Sequence, residues 1–253
     1  MKDQYVGDIG DYSKYALWRF LTAKGFTLGV NWYLTPSDES ANGKLTKYLL
    51  NDKLSYLDQG LFDLLKKALY PDGKTLYPEN RNVAVIEKSG ILQNTAFFSK
   101  MLDYANIADR RTYRKDWVDR SLKALEQPDI IFLDPDNGLE VKSIPVTKKN
   151  GNKYVSYEEA VGYFTQSRAA VIIYQHKDRF SNEKYIERFT HIHHFLPADT
   201  SAELLCVKAK QRDYLFIIHP KHYEKIKKTI DEMRENGWRE YMTYRNINAE
   251  EAP

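Results

Sequence analysis

Asp134-Pro135-Asp136-Asn137 is the segment whose residue types and spacing point most directly to chemistry. It follows the apolar run Ile130-Ile131-Phe132-Leu133, so it leaves a strand at its carboxyl end, where the loops of an open α/β sheet diverge and ligands bind. There an Asp-Pro step can aim a carboxylate and a backbone carbonyl at one amino group, each accepting one of its hydrogens. That arrangement suits methylation of an exocyclic amine, whose lone pair must be free to attack a methyl donor. The same four residues also suit an ordinary turn, because Asp-Pro commonly starts one. A second chemistry takes the acids at face value. Asp134, Asp136 and Glu140, with Asp8, Asp11 or Glu87, offer the oxygen ligands that Mg²⁺ prefers, and a bound metal supports phosphodiester cleavage by a nuclease. Pro135-Asp136 and Glu140-Val141-Lys142 mimic a PD-(D/E)xK nuclease string, but the three residues between them leave no room for the second strand that the motif needs.

Around this segment other side chains suggest a nucleic-acid partner. Tyr174, after the apolar run Ala170–Ile173, is an aromatic placed to stack on a base. Arg110, Arg111, Arg114 and Lys115, interleaved with Tyr113 and Trp117, suit a phosphate backbone. Lys148 and Lys149, in a basic turn that runs to Lys153, could hold further phosphates, although exposed turns are also lysine-rich for solubility. His191, His193 and His194 resemble a metal cluster, yet on a helix only His191 and His194 share a face. A solvated helix end explains them better. The last long helix mixes Lys225, Lys227 and Lys228 with Glu224, Asp231 and Glu232, as a solvated face does.

The elements that must position these residues alternate between helix and strand. Asp11 reads as the cap of a first helix that ends at Gly25, and Leu28–Thr35 as a buried strand stopped by Pro36. Leu57–Leu69 forms a second helix, and Val83-Ala84-Val85-Ile86 a second strand that runs into Glu87. Helices are expected around Ala96–Ala105 and Lys115–Leu125, and a hairpin joins Ile144–Val146 to Lys153–Val155 through Asn150-Gly151. After the strand that ends at Tyr174 come a helix near Glu183–Phe195, an antiparallel hairpin of Leu204–Val207 with Tyr214–Ile218, and a helix from Tyr223. Continuous apolar strands between helices imply a mostly parallel sheet covered on both faces. The 253 residues, 42% hydrophobic with a net charge of +3, fit one α/β domain over 1–245, with an insertion at about 36–81 and a flexible tail over 246–253. No apolar run approaches the ~18 residues of a membrane span. A single cysteine, Cys206, and a polar start, Met1-Lys2-Asp3-Gln4, point to the cytoplasm.

Several of these motifs resemble those of Rossmann-like AdoMet-dependent methyltransferases, in particular bacterial large-subunit ribosomal RNA adenine-N6 methyltransferases, and more distantly three-cysteine-motif partner proteins. Gly7-Asp8-Ile9-Gly10-Asp11-Tyr12-Ser13-Lys14-Tyr15 is similar to that family's Gly-Asn-His-Ala-Asp-x-x-Lys-His. Phe132-Leu133-Asp134-Pro135-Asp136 sits where the family carries Asp-Pro-Pro-Tyr, and the terminal hairpin before Ile218-His219-Pro220 looks like its last two strands. The resemblance implies a Rossmann-like three-layer sandwich with a C-terminal antiparallel hairpin. It also implies S-adenosyl-L-methionine (AdoMet) as cofactor over Trp32 to Asp38 including Thr35, with Glu87 on its ribose and Asp11 and Lys14 shaping the pocket. Asp134, Pro135, Asp136 and Asn137 would then orient the amine of an RNA or DNA base. The chain departs from the pattern where Asp136 and Asn137 replace the second proline and the aromatic, and where no glycine follows the first strand before Gly43. Those departures keep open the Mg²⁺ nuclease and a third reading, a catalytically inactive shell that binds nucleic acid or a partner protein in a phage, mobile-element or defence system.

Overall fold

The computed structural model describes residues 1–38, 43–177, 181–245 and 247. Strands β1 (Leu28–Asn31), β2 (Thr95–Phe98), β3 (Ile130–Leu133), β6 (Ala170–His176), β7 (Glu203–Ala209), β8 (Arg212–Ile218) and β9 (Met242–Arg245) form one sheet in the order β2-β1-β3-β6-β8-β7-β9. The four strands β2-β1-β3-β6 are parallel, and β8, β7 and β9 follow in antiparallel pairings. Two short strands, β4 (Gly138–Leu139) and β5 (Tyr154–Val155), pair in parallel beside it. The helices are α1 (Ile9–Ala23), α2 (Gln59–Leu69), α3 (Ala84–Lys88), α4 (Arg110–Ala124), α5 (Tyr157–Ser167), α6 (Asn182–Thr190) and α7 (Pro220–Glu235).

Alternation along the strands sends successive side chains to opposite faces, so the sheet carries two cores. Ile130, Phe132 and Ile172 join α1, α2 and α7 on one side through Trp18, Phe62 and Ile230. Ile131, Leu133 and Ile173 join α4, α5 and α6 on the other through Trp117, Phe164 and Phe189. The architecture is therefore an α/β fold with helices on both faces of a mixed sheet. No helix among the described residues is long and apolar enough to cross a membrane.

Four local expectations are corrected. Asp8, not Asp11, caps α1, its carboxylate accepting from the Gly10 amide at 3.0 Å. Val83–Ile86 belongs to the short helix α3 with its preceding residue, and the second strand lies instead at Thr95–Phe98, inside the stretch expected to be helical. Val83 and Ile86, three apart, are both buried, which is helical spacing. β2 is a half-exposed sheet edge and lacks the continuous apolar run of a central strand. The expected 144–155 hairpin is replaced by the parallel β4–β5 pair and a single Val141–Ile144 bridge. The sequence reading also omits β9, which pairs with β7. The expected tail after 245 lies outside the described residues except for Ile247.

Candidate functional site

The site is built where α1 meets the carboxyl end of β3. With Asp8 as cap, Asp11 and Lys14 fall one turn apart on the inner face of α1. The Lys14 ammonium, wholly buried, pairs with Asp11 at 2.8 Å and Asp134 at 2.6 Å. The rings of Tyr174, Tyr15, Trp18 and Trp32 surround it at 4.9–5.7 Å from their centroids, a cation–π cage that supplements the two carboxylates. The Tyr15 hydroxyl donates to the other Asp11 oxygen at 3.0 Å. Burial works against the Lys14 charge, but Asp11 and Asp134 outweigh it and hold the ammonium protonated above its usual range. Burial pushes the Asp11 and Asp134 carboxyls up, with Lys14 pulling the other way. One cation between two acids leaves excess negative charge in a dry site.

The first residues of the chain complete this floor. The Met1 amino group donates to the Asp134 carbonyl at 2.7 Å and pairs with Asp136 at 2.8 Å. Thr35 donates its hydroxyl to the second Asp136 oxygen at 3.1 Å and its backbone amide to the Met1 carbonyl at 2.9 Å. Lys2 pairs with Asp38, and Gln4 donates to the same carboxylate at 3.2 Å.

Above the floor opens a cavity of about 400 Å³. Asp11, Asp134, Pro135, Asp136 and Asn137 line its base, with Asp38 and Tyr174 at the sides. Lys44, Lys153 and Arg212 form a basic rim beside His176. The acids are occupied by Lys14, Met1, Thr35 and backbone amides, so the polar groups left for a ligand are chiefly the Asn137 carboxamide and the rim cations. Gly138, at φ 95°, makes the turn behind Asn137; a side chain there would run into Gln175, whose side-chain Oε1 accepts from the Leu139 amide at 2.8 Å. A side chain at Gly10 would meet the Tyr174 hydroxyl at 2.9 Å, so glycine lets that hydroxyl sit against α1. The Tyr174 ring is 8% exposed and packs on Tyr214 and Phe132 at 5.5 and 6.1 Å.

The expected site residues divide by position. Asp134, Pro135, Asp136, Asn137, Tyr174, Asp11 and Asp38 line the cavity, with Lys14 and Thr35 directly beneath. Trp32 and Glu87 are not among its lining. The Trp32 indole is buried against Trp18 and Phe97, and it donates to Glu87 at 2.7 Å. Glu140 is drawn away to the start of α5, where it accepts from the Tyr157 amide at 3.0 Å. No group of three or more His, Cys, Asp or Glu side chains among the described residues is arranged to hold a metal ion.

Arg114 must be withdrawn from the expected phosphate-binding stretch. It is buried in an ion pair with Glu159, and its guanidinium also donates to the Tyr104 hydroxyl and to the Gly151 and Tyr154 carbonyls at 2.6–3.0 Å. Lys115 pairs with Asp119 at 2.6 Å, while Arg110, Arg111, Lys148 and Lys149 lie away from the cavity lining. Lys44, Gln211 and Arg212 are among the lining residues that the sequence did not point to. Strand direction could have found Arg212: β8 runs antiparallel to β6, so its first residue lies opposite His176 at the end where β6 finishes. Comparison with protein-family models, with curated proteins and with solved structures found no match for this chain.

Proposed function

We propose that this cavity receives an amino-bearing base of a nucleic acid and that the chain is a methyltransferase of the AdoMet-dependent, adenine-N6 type. The observation that carries this reading is the position of Asp134–Asn137: the segment leaves a central parallel strand at the base of a cavity with a free carboxamide and a cationic rim. A base amine directed at the Pro135 carbonyl and the Asn137 side chain would keep its hydrogens engaged and its lone pair free. The rim lysines and Arg212 would meet the phosphates that accompany the base. The methyl-donor part is supported by the C-terminal antiparallel hairpin β7–β8 added to a parallel core, which the family resemblance implies.

Calorimetric titration with AdoMet tests it. Micromolar binding, weakened by Asn137→Ala when a single-stranded adenine-containing oligonucleotide is added as co-substrate, is the expected result; absent AdoMet binding would overturn the methyl-transfer reading. A second reading has its own observation. Trp32 and Glu87, expected around the cofactor, are engaged with the core and with each other, which favours a shell that binds nucleic acid without a methyl donor. Oligonucleotide binding that is indifferent to AdoMet is its signature.

A further inference from the structure

Beside the central cavity lies a second hollow of about 560 Å³, made by the insertion that follows β1. Its wall is apolar, with Leu50, Tyr70, Leu76 and Pro78, and Lys44, Lys47, Lys74 and Arg81 bring four cations to it. Arg81 is 8% exposed. Its guanidinium donates to the Val6 carbonyl at 2.8 Å and the Gly43 carbonyl at 2.5 Å. Neither Arg81 nor the three lysines forms an ion pair with a carboxylate among the described residues. The one acid of the lining, Asp38, is held by Lys2 and Gln4. Burial lowers its pKa from the usual guanidinium range, and Asp11 and Asp8, acting from beyond ion-pair distance, do not offset that, so an anion in the hollow would supply the close charge partner it lacks. With Nε and one Nη donating to those carbonyls, the end of its fork is left to meet a phosphate.

We propose that this hollow is a phosphate-binding subsite for the strand that enters the central cavity. Lys44 and Asp38 line both hollows, so the two adjoin. A nucleotide next to the one in the central cavity would set its phosphate on Arg81, Lys47 and Lys74, and its sugar and base against Tyr70 and Pro78. This rests on the nucleic-acid part of the function proposed above and not on the methyl donor. It gives the insertion a role in gripping substrate.

The test is anisotropy of a short fluorescein-labelled single strand, prepared as RNA and as DNA, over a range of salt. Arg81 also ties Val6 to Gly43, so the exposed lysines are the safer probes. Lys47→Glu/Lys74→Glu is expected to weaken binding by about tenfold or more and to flatten the salt slope by about 1.4, near 0.7 for each phosphate that is no longer neutralised. Lys225→Glu/Lys228→Glu, an equal charge change on α7, is expected to leave affinity unchanged. Unaltered binding by the groove variant, or an equal loss in the α7 variant, overturns the subsite. A wild-type protein that binds no oligonucleotide overturns both this subsite and the nucleic-acid reading, whereas absent AdoMet binding removes only methyl transfer.

Discussion

Replacing Lys14 by methionine would leave Asp11 and Asp134 facing each other without the ammonium that now lies between them at 2.8 and 2.6 Å. Breaking a buried ion pair from one side costs about 3–5 kcal/mol, and Lys14→Met should lose that much stability in urea denaturation at pH 7. Burial already raises both carboxyls. A carboxyl with a raised folded pKa favours the folded state most below its unfolded value, and loses that contribution as pH rises through the folded value. Without Lys14 both should rise further, so the deficit of the variant should shrink when the denaturation is repeated near pH 4. Part of this residue scale was legible: acids directly after a buried strand, Asp134–Asn137, do line a cavity. Arg114 was not legible. Its partner Glu159 is 45 residues downstream, and a basic helix read alone gives no sign that one of its cations turns inward.

Elements were recovered where length and periodicity agree, as in α2, β6 and the β7–β8 hairpin. Short apolar runs misled, because four such residues in a row have no period of their own; α3 and β2 exchanged identities for that reason. One junction offers a test of pH dependence. His219 joins β8 to α7, and its ring stacks on Phe164 of α5 at 4.0 Å and 15°. Burial lowers its pKa from the usual imidazole range, against a hydrogen bond with the Phe164 backbone, and nearby His222 and Lys221 push the same way as burial. A histidine held neutral contributes stability above its unfolded pKa and loses it as pH falls through the folded value. Thermal stability should therefore decline from pH 7 toward pH 5. His219→Phe, which keeps the stack, should decline less over that range. Loss of the difference between the two proteins would place the pH sensitivity elsewhere.

Across the whole molecule a single sheet serves two cores, so neither face can open without exposing strands that the other face also covers. The tryptophans divide between them: Trp18, Trp32 and Trp238 on one side, Trp117 on the other. Fluorescence unfolding curves of the wild type and Trp117→Phe should share one midpoint once corrected for stability by circular dichroism. Separate fluorescence and dichroism midpoints in either protein would mean that the faces unfold independently. A net charge of +3 similarly conceals its arrangement. Acids gather at the cavity floor and cations at its rim and in the adjoining hollow, a pattern that averages out of any composition.

The Lys14–Asp134 contact has one more consequence, for the order in which the protein is made. Lys14 leaves the ribosome just after one buried partner, Asp11, and 120 residues before the other, Asp134. Until then α1 carries an ammonium on its inner face whose full set of counter-charges has not been synthesised. Contacts this distant in sequence are slow to form, and domains fold during synthesis only as their parts emerge. The emerging α1–β1 half therefore lacks one of the two carboxylates that Lys14 pairs with, and the pairing is completed only once β3 and Asp134 have been made.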